Sequence, residues 1–307
     1  MPAENVGQKL GVIIDAHVHL YPPEVGHDPK GWAERTGEHQ WAQMCVRQRR
    51  DGRPVQTFPT VEELLRTMDA AGIDRAVLLG WYWEHPSAAA AQNRFHAECI
   101  RQYPDRLSAF ATFHPAAGHD AVLDEIRRAR ADGLVGLGEL SPHSQGYAID
   151  DPTFAAVLTL AGESGMPVNL HVTDPAGRSY PGRVETPLED FVRLARIFPK
   201  TKFILAHWGG MLPLVIPEAG GTALPNVFYD TAASPLLYDS AVWPQALPRF
   251  GLGRVIFGSD YPLNLYPKVE ALPEMSRLLA EARAGGADSD VLGGNALRLL
   301  AGVGTIA

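Results

Sequence analysis

Leu10-Gly11-Val12-Ile13-Ile14-Asp15-Ala16-His17-Val18-His19 is a mostly apolar run that ends in two histidines one residue apart. In a strand, successive side chains alternate faces and residues two apart point the same way. His17 and His19 therefore project together from the end of a buried strand, Val12–His19. Two imidazoles converging at such an end make half of a metal site. On its own, a His-x-His pair is as readily explained by one ring packing and the other meeting water, so the rest of the chain decides.

Outward from this stretch, short apolar runs alternate with longer amphipathic ones. Strands are expected at Val12–His19, Ala76–Gly80, Leu107–Phe113, Leu134–Leu140, Val168–Val172, Phe203–His207, Val227–Asp230 and Val255–Asp260. Between them, Thr60 is placed to cap a helix over Val61–Ala71 that Gly72 ends, and Gly133 closes one over Asp120–Ala131. Pro187–Phe198 reads as a third, with proline in its first turn. Eight strands alternating with helices imply a parallel sheet with right-handed crossovers, and eight is the number that closes an α/β (β/α)8 TIM barrel. An open doubly wound sheet would want a glycine-rich loop after an early strand, and none stands there. Gly209-Gly210 comes late and lacks phosphate-binding spacing.

The 307 residues read as one barrel domain, interrupted after the first strand by a segment from Pro22 to Pro59 that is far longer than an ordinary loop. It carries Trp32, Trp41, His27, His39, Arg35, Arg47, Arg49, Arg50 and Arg53, and is expected to cap the barrel mouth with short helices of its own. A solvated insertion is the plainer alternative.

Composition narrows the class further. Hydrophobic residues are 46% and charged residues 20% of the chain, ordinary for a globular protein with a sizeable core. The net charge of −8 argues against a sequence-independent grip on nucleic acid or anionic membranes. Cys45 and Cys99 give no disulfide framework, Met1 to Gln8 has no secretory pattern, and no apolar run reaches the ~20 residues that span a bilayer. A cytoplasmic protein is expected. A homodimer with the insertion at its interface is one assembly the sequence allows.

In a barrel, the chemistry sits where strands end. Polar residues terminate or follow the apolar runs: His17 and His19, His114, Glu139, His171, His207 and Asp260. Burying so many imidazoles and carboxylates calls for compensation, which a divalent cation supplies. Nitrogen and oxygen ligands suit zinc, manganese or iron, and a catalytic ion can lower the pKa of bound water from 15.7 to about 7. Asp260 is then a candidate proton acceptor, and His207 a candidate to polarise a carbonyl or carry a proton.

The series Asp15-Ala16-His17-Val18-His19, His171, Ala206-His207-Trp208-Gly209-Gly210 and Phe257-Gly258-Ser259-Asp260-Tyr261-Pro262 resembles the amidohydrolase superfamily. More narrowly, it is similar to the amidohydrolase-related branch that includes aminocarboxymuconate-semialdehyde decarboxylase, down to a closing segment Gly294-Asn295-Ala296-Leu297-Arg298-Leu299-Leu300. The resemblance implies one divalent ion on His17, His19, His171 and Asp260, with His207 as base or electrophile. A carbamoylated-lysine bridge is excluded, because no lysine falls on the fourth strand. Glu139 either accepts a hydrogen bond from a ligand histidine or joins the ligands, and with His207 it would allow a second ion. His114 and His143 read as packing or loop residues.

For the substrate, Arg178 and Arg183, with the arginines of the insertion, are placed to grip a carboxylate. Trp81, Tyr82 and Trp83 wall an apolar pocket or pack beneath the cap, and Trp208, beside His207, is a further candidate contact. The leading expectation is a hydrolase acting on a C–O or C–N bond of a small carbonyl compound. Non-oxidative decarboxylation of an aromatic or muconate-like acid is the alternative, and a barrel kept only for binding is a third.

Overall fold

A computed structural model describes residues 11–220 and 223–303. Leu10 and the polar opening Met1 to Gln8 lie outside the described residues. Eight parallel strands pair in chain order: β1 Ile14–His19, β2 Arg75–Leu79, β3 Leu107–Ala111, β4 Gly136–Leu140, β5 Val168–Leu170, β6 Phe203–Leu205, β7 Val227–Asp230 and β8 Val255–Ile256. Beyond β8 the chain returns to β1, where Ala16 N–H donates to the Phe257 carbonyl at 2.9 Å and Asp260 N–H to the His17 carbonyl at 2.8 Å. The result is the expected (β/α)8 barrel.

The helix Val61–Ala71 has the expected bounds, because both ends are set by local chemistry. Thr60 Oγ1 accepts from Glu63 N–H at 3.3 Å, Glu63 Oε2 accepts from Thr60 N–H at 2.8 Å, and Gly72 turns left-handed at φ 70°. The other two differ by one residue, at one end or at both. One runs His119–Ala131, and the other Leu188–Ile197 with Pro187 as its cap. Most strands are shorter than their apolar runs: β1 and β4 begin two residues late and β3, β5, β6 and β8 end early, because apolar residues continue beyond the paired backbone. After Ile256, the Gly258 N–H is given to Thr231 Oγ1 at 3.0 Å and Asp260 turns left-handed at φ 72°.

The main core packs the outer faces of the strands against the helices. Inside, Ile14, Ala16, Val77, Leu79, Phe110, Ile204 and Ile256 from five strands pack with Ala296 and Leu299 of the closing helix Asn295–Leu300. The segment after β1 folds into the helices Pro23–His27, Pro29–Thr36 and His39–Cys45. An aromatic cluster anchors it. Trp83 meets Trp32 and Trp41 with ring centres 5.1 and 5.6 Å apart. Two carboxylates clasp the seam, Glu38 accepting from the Glu84 and His85 amides at 2.7 and 3.0 Å, and Glu84 from the Gln40 amide at 2.7 Å. Cys45 and Cys99 are buried free thiols. No described helix is long and apolar enough to cross a membrane.

Candidate metal centre

The register of β1 against β2 shifts between Asp15 and Val18, a bulge that re-aims the end of the strand. His17 Nε2 and His19 Nε2 converge there to 3.2 Å. Glu139 Oε2, from β4, lies 3.9 and 3.6 Å from those nitrogens, and Asp260 Oδ1 lies 3.7 and 3.5 Å from them. Donors around a cation held at ~2.0–2.2 Å are themselves roughly 3–3.6 Å apart. These four atoms are close to that spacing around one point, so the set fits a divalent ion.

A second cluster shares Glu139. Its Oε1 accepts from His171 Nδ1 at 2.9 Å and lies 3.5 Å from His207 Nε2, which is 3.2 Å from His171 Nδ1. His171, expected beside His17 and His19, therefore turns Nδ1 to the other end of the Glu139 carboxylate. Glu139 turns one oxygen to the His171 ring and the other toward the His17–His19 pair, a placement open to either of its expected roles.

The charges explain why an ion belongs here. Burial alone would strip His17 of its proton, yet Asp230, Asp260 and Glu139 push its pKa up to about 10. Burial and the His17 charge push His19 down to about 4. Burial opposes the Glu139 charge too, but His171, His207 and His17 hold its carboxyl well below the usual range. For His207 burial is again the largest effect, and Glu139 and Asp260 outweigh it and raise the pKa. A cation among His17, His19, Glu139 and Asp260 does for these carboxylates what the His17 proton otherwise does.

Beyond β6 the chain makes a left-handed turn, with φ between 54° and 62° from His207 through Met211. This conformation costs roughly 1–2 kcal/mol at a residue with a side chain. Gly209 and Gly210 are what the turn requires. Added Cβ atoms would sit 2.7 Å from Tyr229 Cδ1 and 3.0 Å from Val172 Cγ1. The turn sends His207 into the mouth and Trp208 the opposite way. Trp208 is fully buried, donates Nε1–H to Ser234 Oγ at 2.7 Å and packs edge-on against Trp243 and Phe250. The expectation that it contacts substrate is thus corrected. His114 and His143 stand apart, on the Gln145 carbonyl at 3.0 Å and Asp190 at 2.9 Å.

The clusters open into a cavity of about 270 Å³. Trp81 and Tyr82 wall it, Trp83 does not, and Arg178 and Arg183 line it from the loop after β5. The segment after β1 contributes Met44, Cys45, Arg47, Arg49, Val55 and Gln56, which places the insertion over the mouth. Among the residues lining the cavity, Arg47, Arg49, Trp81 and Arg183 carry buried side-chain nitrogens without a hydrogen-bond partner, Nε of each arginine and Nε1 of the tryptophan. All are donors. Arg47 makes no side-chain hydrogen bond or ion pair among the described residues, and Arg49 donates only to the Asn264 carbonyl, at 2.9 Å.

Sequence reading passed over Asp230. It ends the apolar run Val227-Phe228-Tyr229-Asp230, the same signal that singled out His207 and Asp260. Asn169, inside β5, carries no such signal.

The chain belongs to the Amidohydrolase family, whose model matches residues 14–301. It is similar to 6-methylsalicylic acid decarboxylase of Penicillium expansum, 27% identical over 296 residues that cover 81% of this chain and 84% of that protein. Its fold matches the crystal structure of 5-carboxyvanillate decarboxylase from Sphingomonas paucimobilis at a TM-score of 0.70 and 19% identity, covering 94% of this chain and 99% of that one. For 2,6-dihydroxybenzoate decarboxylase from Rhizobium the TM-score is 0.63 at 18% identity, with 95% and 99% covered. All three of these relatives are described as decarboxylases, whereas hydrolysis was put first from the sequence.

Proposed function

We propose that the protein is a metal-dependent non-oxidative decarboxylase of a small aromatic or muconate-like acid. Unpartnered donors on residues of the cavity wall carry this reading. Arg47, Arg49, Arg183 and Trp81 line one cavity with the histidine clusters, and each carries a buried N–H without an acceptor. A ligand that satisfies them presents oxygen acceptors, and a carboxylate does so with charge assistance. Arg183 already pairs with Glu185, but a neutral amide or ester leaves the charges of Arg47 and Arg49 without an ion-pair partner. At about 270 Å³ the cavity is near the small end of the roughly 300–1,000 Å³ typical of ligand pockets, which suits a single ring.

His17, His19, Glu139 and Asp260 would hold one divalent ion, with zinc the first expectation and manganese or iron the alternatives. The bound ion supplies charge that polarises an acidic oxygen of the substrate. The chain's own residues do the rest. Arg47 and Arg49 orient the acid, and Trp81 and Tyr82 hold the ring. His207, whose Nε2 lies 3.5 Å from Glu139 Oε1 in the cavity wall, holds the proton that the ring carbon takes up as its bond to the carboxyl carbon breaks and carbon dioxide leaves. Asp260 lies 3.9 Å from His207 Nδ1 and stabilises the imidazolium.

Trapping of labelled carbon dioxide from 6-methylsalicylate, 5-carboxyvanillate and 2,6-dihydroxybenzoate tests the reading. Release from at least one acid, lost on chelation, is expected. No release from a panel of aromatic and muconate-like acids, with hydrolysis of an ester or lactone instead, overturns it.

A further inference from the structure

Asp230 is fully buried at the end of β7 and accepts four hydrogen bonds. Oδ2 takes His17 Nδ1–H and Asn169 Nδ2–H, each at 2.9 Å, and Oδ1 takes the His207 and Ala232 amides, each at 3.0 Å. One carboxylate thereby touches the side chain of a metal-facing histidine and the backbone of the histidine in the second cluster.

We infer that Asp230 is the positioning residue of the centre: it fixes His17 with its proton on Nδ1 and its Nε2 lone pair toward the ion, and it pins the left-handed turn that presents His207. The chemistry of an imidazole requires the first part. A neutral ring carries one N–H, and the nitrogen that donates decides which nitrogen is left to ligate. Asp230 only accepts, so it selects the Nδ1–H form, and Nε2 then faces His19 Nε2 at 3.2 Å, Asp260 Oδ1 at 3.7 Å and Glu139 Oε2 at 3.9 Å. The second part follows from the His207 N–H. At φ 57° that amide lies outside any strand ladder, and Oδ1 is its acceptor. A single buried group thus sets ring orientation on β1 and chain direction after β6, two elements with no direct pairing.

Asp230→Asn tests this, because the amide keeps the shape and loses an acceptor. If its NH2 faces His17, the ring is driven to the opposite tautomer, with Nε2 protonated and unable to ligate. Outer carboxylates that orient ligand histidines contribute about 10–100-fold in metal affinity. Chelator competition from zinc-loaded protein is expected to show a loss of that size, with an altered visible spectrum when cobalt replaces zinc. Asn169→Ala removes a neighbour of the same oxygen but leaves the carboxylate, and is expected to change affinity less than threefold. Wild-type affinity and spectrum in Asp230→Asn overturn the inference. So does an Asn169→Ala loss of tenfold or more, which would assign the effect to packing and decides the matter even if Asp230→Asn does not fold. None of these readouts depends on which reaction the enzyme catalyses.

Discussion

Arg47→Gln isolates the contribution of the cationic wall. The Arg47 guanidinium has no hydrogen-bond or ion-pair partner among the described residues and its Nε is buried, so the substitution orphans nothing in the protein. A change of this kind stays within about 0.5 kcal/mol of wild-type stability. For a chain of this size that is about 1–2 °C in Tm. A hydrogen bond to a charged group contributes about 1.5–3 kcal/mol. At about 1.4 kcal/mol per tenfold, benzoate should bind roughly 10- to 150-fold more weakly to the variant. Calorimetric titration of benzoate into metal-loaded protein measures this, with benzamide as the neutral isostere. Benzamide affinity should change less than threefold. If benzoate weakens less than threefold, or benzamide weakens equally, Arg47 does not face the carboxylate and the argument from unpartnered donors fails.

Metal uptake should be linked to protons. Without a cation His17 holds its proton up to about pH 10, so below that pH binding releases it, and affinity should rise about tenfold per pH unit until pH 10. Calorimetry in buffers of different ionisation enthalpy reads the proton count, and none released would contradict the assignment of His17. Asp260→Asn should lower kcat by roughly 10²–10⁴-fold at saturating metal, and turnover near the wild-type rate would remove Asp260 from the reaction. Gly258→Ala puts a Cβ 2.7 Å from His17 Cβ. Overpacking of this kind costs about 1–3 kcal/mol, so both Tm and metal affinity should fall, and an unchanged chelator titration would show that the strand shifts without moving His17.

Much of the fold was legible because its cues are local. Alternation of apolar runs with amphipathic ones set the eight strands, and Thr60 with Gly72 set one helix to the residue. Strand ends were overrun because hydrophobicity does not register where a backbone stops pairing. Phe257 is apolar and buried, yet its N–H goes to the Val291 carbonyl at 2.9 Å and not to a strand. The polar strand ends His17, His19, Glu139, His171, His207 and Asp260 do gather at one mouth. Which nitrogen or oxygen each offers depends on packing across the barrel, as His171 Nδ1 on Glu139 Oε1 illustrates. Trp208 was misplaced for a related reason. Sequence proximity to His207 suggests a shared direction, and only the handedness of the turn reveals that the two diverge.

That turn also bears on how far the protein can be made sturdier without harm. His207, Trp208 and Met211 each hold a conformation disfavoured by about 1–2 kcal/mol. Met211 is half-buried, lies outside the cavity lining and packs against the main core, so glycine there would relieve backbone strain at the cost of that packing. At Trp208 the same exchange would empty the space beside Trp243 and Phe250, and at His207 it would delete an imidazole of the cavity wall. Three sources of strain in one turn thus differ in what removing them would cost, a packing loss at two of them and a cavity-lining imidazole at the third.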